Sequence, residues 1–380
     1  MSAPRTSIPR TLIVTNDFPP RVGGVQQYVW NLVRHLPAAR VAVLAPNWPG
    51  WMQHDRGAAF PVHRWPARFL WPTAELRQRI VSLIAEHRAE LVVFGHGFPL
   101  PVMGPDLAAR GTPYVVLTHG AEVWLARTPP IAGSMRRAFE HAAGVTAVSR
   151  WTARALESVA PSALPMTVLH PGVDAERFSP SVDGSVIRER HALGDRRVVV
   201  CVSRLVPRKG QDVLIAAMPL VRSLIPDGGL LIVGEGPDRR RLEAAAGALD
   251  GSVVFAGEVR DDELPQYFAA GDLFAMPCRS RWGGLEVEGF GIVYLEAAAA
   301  ARPSVAGRSG GSEEAIVDQV TGVLVEGREP KAVALAIARL LGDPGAMQTM
   351  GTAGRARIEQ EFTWAERTKR FAEILREAVR

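Results

Sequence analysis

The sequence predicts an α/β protein built from two Rossmann-like, doubly wound domains. Three observations predict it: short apolar runs that recur along the whole chain, helical stretches in most of the gaps between them, and a length of 380 residues. That length is long for one domain and comfortable for two of about 180 residues each. Short runs rich in Val, Leu and Ile suit strands buried on both faces of a parallel sheet. Strands alternating with helices read as βαβ units.

In the first half the predicted strands are Thr11–Thr15, Val41–Ala45, Leu91–Phe94, Tyr114–Thr118, Val145–Val148 and Met166–Leu169. The second half gives Val198–Val202, Leu230–Val233, Val253–Ala256, Leu273–Met276 and Ser304–Ala306. Helices are expected over Gln26–Leu36, Ala74–Arg88 and Gln211–Leu224. The seam falls near Pro171–Pro180, where His-Pro-Gly-Val-Asp leads into Phe-Ser-Pro-Ser. The expected division is a first domain over residues 1–175, a second over 176–362, and a C-terminal segment, 363–380. That last segment holds a helix, about Trp364–Val379, placed to pack back on the first domain.

Composition narrows the class. With 47% hydrophobic and 22% charged residues the chain is neither disordered, nor collagen-like, nor a small disulfide scaffold. Cys201 and Cys278 have no metal-ligand spacing and read as buried thiols of a reducing compartment. The stretch Met1–Arg10 has no apolar signal core, and no apolar run approaches the roughly 20 residues of a membrane span. A cytoplasmic protein is expected, with peripheral contact at the inner face of the plasma membrane left open. Residues 1–180 hold 18 Arg, no Lys and 11 acidic residues, a net of +7, while the remainder nets −2. The first half therefore favours an anionic partner: nucleic acid, acidic lipid or a phosphorylated metabolite. Nucleic acid is set aside because no recognition helix, Lys/Arg run or RNA-binding aromatic signature occurs. A nicotinamide-dependent dehydrogenase is set aside because the first turn carries no Gly-x-Gly-x-x-Gly.

In open α/β sheets ligands bind at the carboxyl ends of the strands, so the residues just after each strand carry the functional signal. After the first strand, Asn16-Asp17-Phe18-Pro19-Pro20-Arg21-Val22 leads to Gly23-Gly24 and a helix. Adjacent glycines let backbone N–H groups approach an anion, and the helix terminus adds about half a positive charge. Thr118-His119-Gly120-Ala121-Glu122 ends another strand. Ser203-Arg204-Leu205-Val206-Pro207-Arg208-Lys209-Gly210 follows Val198–Val202 and places Arg204 and Lys209 where both can meet one phosphate. Lys209 is one of only three lysines in an Arg-rich chain, which marks it out.

The richest stretch is Pro277–Glu296, in which Glu288 and Glu296 stand eight residues apart. On one continuous helix that spacing rises roughly 12 Å and turns about 80° out of register. The carboxylates would then share neither a proton nor a metal. They would hold hydroxyls at opposite ends of an extended ligand, with the amides of Gly289 to Ile292 on a phosphate between them. That ligand is a sugar nucleotide. The apolar residues around Glu296 predict its burial, and a buried carboxylate needs partners.

Taken together, Glu288-x7-Glu296, Arg204 with Lys209, His119-Gly-x-Glu122 and the Gly23-Gly24 loop resemble the retaining GT-B glycosyltransferases of family 4 over essentially the whole chain. Val14-Thr-Asn-Asp-Phe-Pro-Pro, Ser203–Asp212 and Val287–Val293 are similar to the phosphatidylinositol mannosyltransferase subgroup, whose members use GDP-mannose and an anionic lipid acceptor. The resemblance implies a GT-B fold, two domains facing a cleft. It implies that Arg204 and Lys209 neutralise the diphosphate, that Glu288 binds the donor sugar and that His119 lies beside it. Gly23, Gly24, Gly289, Phe290, Gly291, Ile292, Val293 and Glu296 would line the donor, with Glu296 on the ribose. Asp17, Arg64 and Arg68 are the candidates for the acceptor and its phosphate. No Asp-x-Asp occurs, so the expected catalysis needs no metal and no cofactor beyond the donor.

Three features depart from the pattern. Glu286 stands where the lipid mannosyltransferases carry Asp, and Trp282 adds a ring beside the glycines. The loop between Pro46 and Pro72 holds Trp48, Trp51, Trp65 and Trp71 among His63, Arg64 and Arg68. Tryptophan with arginine suits a bilayer interface, and each Trp equally suits helix-to-sheet packing. The alternatives are a family 4 enzyme using a UDP sugar or a soluble acceptor, and a sugar-nucleotide sensor without activity.

Overall fold

The computed structural model describes residues 7–160, 166–249 and 251–380; the first six residues of the segment read for a signal core lie outside them. The chain forms two compact units, Met1–Gly172 with Trp364–Arg380, and Val173–Thr363.

The first unit carries seven strands: β1 Thr11–Val14, β2 Val41–Pro46, β3 Val62–Trp65, β4 Leu91–Phe94, β5 Tyr114–Thr118, β6 Gly144–Ala147 and β7 Thr167–Val168. They form one sheet in the order β3-β2-β1-β4-β5-β6-β7, with parallel pairing throughout. Every residue of β1, β2, β4 and β5 is buried, as helices on both faces of a parallel sheet require. The helix Ala74–His87 starts where Thr73 Oγ1 accepts the Leu76 N–H at 3.2 Å, and it stops at Arg88 in the left-handed region. The last helix, Trp364–Glu377, lies against the helix Gly24–Arg34, with Trp364 edge-on to Tyr28 at 6.2 Å.

The second unit carries β8 Arg197–Val202, β9 Gly228–Val233, β10 Val253–Gly257, β11 Leu273–Met276, β12 Ser304–Gly307 and β13 Gly322–Val325. Its sheet runs β10-β9-β8-β11-β12-β13, again with parallel pairing. Its long helices are Gln211–Leu224, Pro330–Leu341 and Pro344–Arg357.

Two strands are absent from the sequence reading, and both lie on sheet edges. β3 reads Val-His-Arg-Trp, all half-buried, so it carries no apolar run. β13 is only four residues, Gly-Val-Leu-Val, the first of them glycine. The predicted Met166–Leu169 strand contracts to two residues, β7.

Each strand order reverses once, between β1 and β4 and between β8 and β11, and such a reversal opens a crevice at the carboxyl ends. Glycine is required beside both reversals. A Cβ on Gly95, just after β4, would sit 2.3 Å from Thr15 Oγ1. Gly210, at φ +79°, would bring a Cβ to 2.2 Å from the Pro277 carbonyl oxygen. Gly210→Ala is expected to destabilise by roughly 2–4 kcal/mol, combining left-handed strain with overpacking. A thermal melt should show a Tm several degrees lower. Gly133→Ala, in the helix Pro129–Glu140 with open space at its Cβ, should leave the Tm unchanged or raise it.

Candidate functional site

Polar side chains gather at both reversal points. In the second unit, the loop after β8 runs through Arg204 to a tight turn at Pro207–Lys209. Gln211 closes this loop, its Nε2 donating to Ser203 Oγ at 2.7 Å and to the Arg204 carbonyl at 2.9 Å. The loop after β11 locks on from the other side. Arg279 donates its N–H to the Arg208 carbonyl at 2.8 Å and its guanidinium to both oxygens of Asp212, at 3.0 and 2.8 Å. Burial opposes ionisation of Asp212, but Arg279 outweighs it and holds the carboxyl below its ordinary range.

Between these loops lies an ion cluster. Lys209 Nζ donates to Glu288 Oε2 at 2.6 Å, and Arg208 Nη1 donates to the same oxygen at 2.8 Å. Lys209 and Glu288 are both buried. Burial alone would raise the Glu288 carboxyl, yet Lys209 and Arg208 together hold it below the usual value. The backbone of Glu288 is gripped too. Its N–H meets Ser309 Oγ at 3.3 Å and its carbonyl accepts from the Gly311 N–H at 2.8 Å. Gly310, at φ +59°, passes so close that a Cβ would lie 2.3 Å from the Glu288 carbonyl oxygen.

One sequence expectation is corrected here. Glu288 and Glu296 do not share a helix: the helix spans Ile292–Ala299, and Gly291 at φ +88° turns the chain just before it. Glu288 stands on the loop, so helical rise does not set the spacing of the two carboxylates. The turn puts Gly289, Phe290 and Gly291 ahead of the helix and leaves Ile292 and Val293 in its first turn, where amides lack intrahelical partners. Phe290 is buried, 6.0 Å from the ring of Phe362. Glu296 is half-buried, and desolvation pushes its carboxyl up to about 7 against the pull of Arg177. Arg204 is exposed and makes no ion pair among the described residues, whereas Lys209 is paired with Glu288. Arg208, which the sequence reading passed over, is the second cation on Glu288; its signal was adjacency to Lys209. Glu286 takes Arg281 Nη1 at 2.9 Å and lies 3.8 Å from Arg208 Nε, while Trp282 beside it is exposed.

In the first unit the reversal point brings together Asp17 after β1, His96 after β4 and His119 after β5. Asp17 accepts from Arg21 Nη1 at 3.0 Å, from Gln26 Nε2 and from His96 Nε2. Burial works against its charge, but the His96 bond and the neighbouring positive groups prevail and lower its pKa. Glu122 clips two loops, accepting the His119 N–H at 2.9 Å and the Gly97 N–H at 3.1 Å. His119 Nε2 lies 2.8 Å from the Gly95 carbonyl, with Tyr28 and His96 edge-on at 5.2 and 5.3 Å. Burial is the main cause holding the His119 pKa below that of a free imidazole. His96 was missed in the sequence, although a His between Gly95 and Gly97 at a strand's carboxyl end carried the same signal as His119. Gly23 packs on Gln26, the residue that holds Asp17, whereas Gly24 opens the helix with free space at its Cβ.

The acceptor arginines separate. Arg64 is corrected to a structural residue: its guanidinium forks onto Asp55 at 2.9 and 2.6 Å and donates to the Pro46 and Pro19 carbonyls at 2.9 and 2.7 Å. With its side chain 4% exposed, it ties the Trp-rich loop to the turn after β1 and has little left for a ligand. Arg68 is exposed and lies over the Trp48 ring at 5.9 Å, with Arg21 over the same ring at 5.1 Å. Trp71, Met52 and Val22 are exposed nearby in sequence on these loops.

His63, Glu86 and His87 of the first unit, outside either reversal point, bring three side chains of metal-ligating type within 4.8 Å of one another. There Arg79 Nη2 stands 3.3 Å from His63 Nδ1, and the two imidazoles meet Nε2 to Nε2 at 2.7 Å. The guanidinium donates to Nδ1, which keeps the proton of His63 on Nε2. A metal would need that nitrogen bare.

Two parallel-sheet α/β units of this kind make up the GT-B fold of glycosyltransferases. Anabaena HepE, solved in complex with UDP, shares this fold with a TM-score of 0.82 at 22% identity, over 96% of this chain and 98% of that one. Residues 22–177 match the model described as Glycosyltransferase Family 4, and residues 185–357 match Glycosyl transferases group 1. A GDP-mannose-dependent alpha-(1-6)-phosphatidylinositol monomannoside mannosyltransferase of Mycolicibacterium smegmatis is 44% identical over 96% of this chain and 97% of its own. A Mycobacterium tuberculosis protein of the same name is 41% identical over 97% and 98%. The chain belongs to glycosyltransferase family 4.

Lys209→Ala should lower turnover by about 10²–10³-fold, the loss usual for one cation that stabilises developing charge. The acid limb of stability should move with it. A carboxyl with a depressed folded pKa stabilises above its unfolded value and loses that contribution as pH falls through the folded one. With Lys209 removed the Glu288 value rises towards its unfolded one, so melts from pH 7 down to 3 should show a smaller loss of stability on acidification than in the parent. Glu296 has the opposite sign, because its raised folded value makes the native state less stable as pH climbs from about 4.5 towards 7. Glu296→Gln should therefore melt higher than the parent at pH 8 and alike at pH 4.

Proposed function

We propose that this protein is a retaining, metal-independent α-mannosyltransferase that moves mannose from GDP-mannose to an inositol-phosphate lipid at a membrane surface. The observation that carries the choice of donor and acceptor is the 44% identity, over 96% of the chain, to a relative named for that reaction. The side chains supply the chemistry. In the second unit, Arg204 and Lys209 meet the diphosphate, and the amides of Ile292 and Val293 add N–H donors to it. Glu288, with both its cations on Oε2, offers Oε1 to donor-sugar hydroxyls. Glu296 takes the ribose.

As the bond from the anomeric carbon to the phosphate oxygen breaks, charge grows on the departing GDP, where the positive side chains offset it. The acceptor oxygen bonds to the same face of that carbon, and its proton passes to a phosphate oxygen of the leaving group. Fixed cations do the work of a divalent ion. On the first unit, Arg21 and Arg68 flank Trp48 as an exposed cationic surface, and exposed Trp71, Trp124 and Met52 suit a lipid interface. Among the described residues no helix is long and apolar enough to cross a membrane, so the proposed contact is peripheral.

The test is thermal stabilisation by nucleotides, followed by transfer to lipid. A ligand that binds only the native state raises Tm. GDP and GDP-mannose should raise it, with or without EDTA, and labelled mannose should pass to phosphatidylinositol mannoside in liposomes. A selective response to UDP sugars would move the protein to another branch of the family. Loss of transfer on adding EDTA would refute metal independence.

A further inference from the structure

We propose that His96 binds the acceptor, its Nδ1 accepting a hydrogen bond from an acceptor hydroxyl while Asp17 fixes the ring and its proton. This rests on the transfer reaction proposed above and adds to it a residue with a stated atom. His96 sits between Gly95 and Gly97 at the end of β4, beside the sheet reversal. Its Nε2 is bonded to the Asp17 carboxylate, and its Nδ1 is buried with no partner among the described residues.

An ionised carboxylate only accepts, so the Nε2 atom carries the proton. The neutral ring then presents a bare lone pair at Nδ1. Buried polar atoms without partners are uncommon enough to need a reason. A polyol acceptor supplies hydroxyl donors. Asp17 itself is already occupied by Arg21, Gln26 and His96, so it acts through the imidazole, as a positioning residue. His119, 5.3 Å away ring to ring, has its own Nε2 committed to the Gly95 carbonyl.

Two variants divide the roles of the ring. His96→Gln can keep an amide donor on Asp17 where Nε2 stood while removing the Nδ1 lone pair. His96→Asn places an amide oxygen near the Nδ1 position and abandons Asp17. Initial rates would be measured on the full chain with GDP-mannose and phosphatidylinositol mannoside in liposomes, with Tm alongside. The expected result is an acceptor KM raised about 10-fold or more in His96→Gln, the worth of a buried hydrogen bond. Donor KM and Tm should be unchanged, and His96→Asn should lie closer to the parent in acceptor KM. The reverse order, with His96→Gln like the parent and His96→Asn impaired, would show that the ring only props Asp17 and would overturn the proposal.

If either variant folds poorly, ¹⁵N-histidine NMR of the unmodified protein decides. The His96 Nδ1 resonance should move on adding a soluble inositol-phosphate mannoside and stay put with GDP; no movement would overturn it. Parent enzyme inactive on the lipid would count against the mannosyltransferase reading. Active parent with an unaffected His96→Gln would count against His96 alone.

Discussion

The buried pairing of Lys209 with Glu288 is the interaction on which the second unit is arranged. An ammonium and a carboxylate taken out of water lose hydration worth several kcal/mol each, and the loss is offset only by close, well-aligned contact. The surrounding architecture supplies that alignment. Gly210 lets the loop after β8 press on Pro277, Arg279 staples the loop after β11 to Asp212, and Gly310 and Ser309 seat the Glu288 backbone. Arg208 adds a second cation to the same oxygen, so the cluster carries net positive charge. Such a cluster holds a shape without ligand and favours an anion when one arrives.

The first unit solves a similar problem with hydrogen bonds to a different end. Glu122 spends both carboxylate oxygens on backbone N–H groups of two loops, which fixes His119 beside Gly95. Asp17 spends its own on three side chains. Acidic residues here hold other groups in place, and the imidazoles are the groups held. The same economy explains Arg64, whose charge matches a phosphate in principle and is neutralised by Asp55 in fact.

The sequence alone determined the architecture, because buried parallel strands are continuous apolar runs whose pattern needs no neighbour to be legible. It also directed attention to the residues just after those runs and singled out Lys209, His119, Glu288 and Glu296 by residue type. What it could not carry were features set by partners far along the chain. β3 is polar because it is an edge, Arg64 is held by the Pro19 carbonyl, 45 residues earlier, as well as by Asp55, and His96 is bonded to Asp17, 79 residues earlier. The Glu288–Glu296 spacing fits a continuous helix equally well, and only the left-handed turn at Gly291 decides that the first glutamate stands outside it. Local periodicity is written in consecutive residues. Which charge answers which is fixed only when the chain has folded and the dielectric around each group is known.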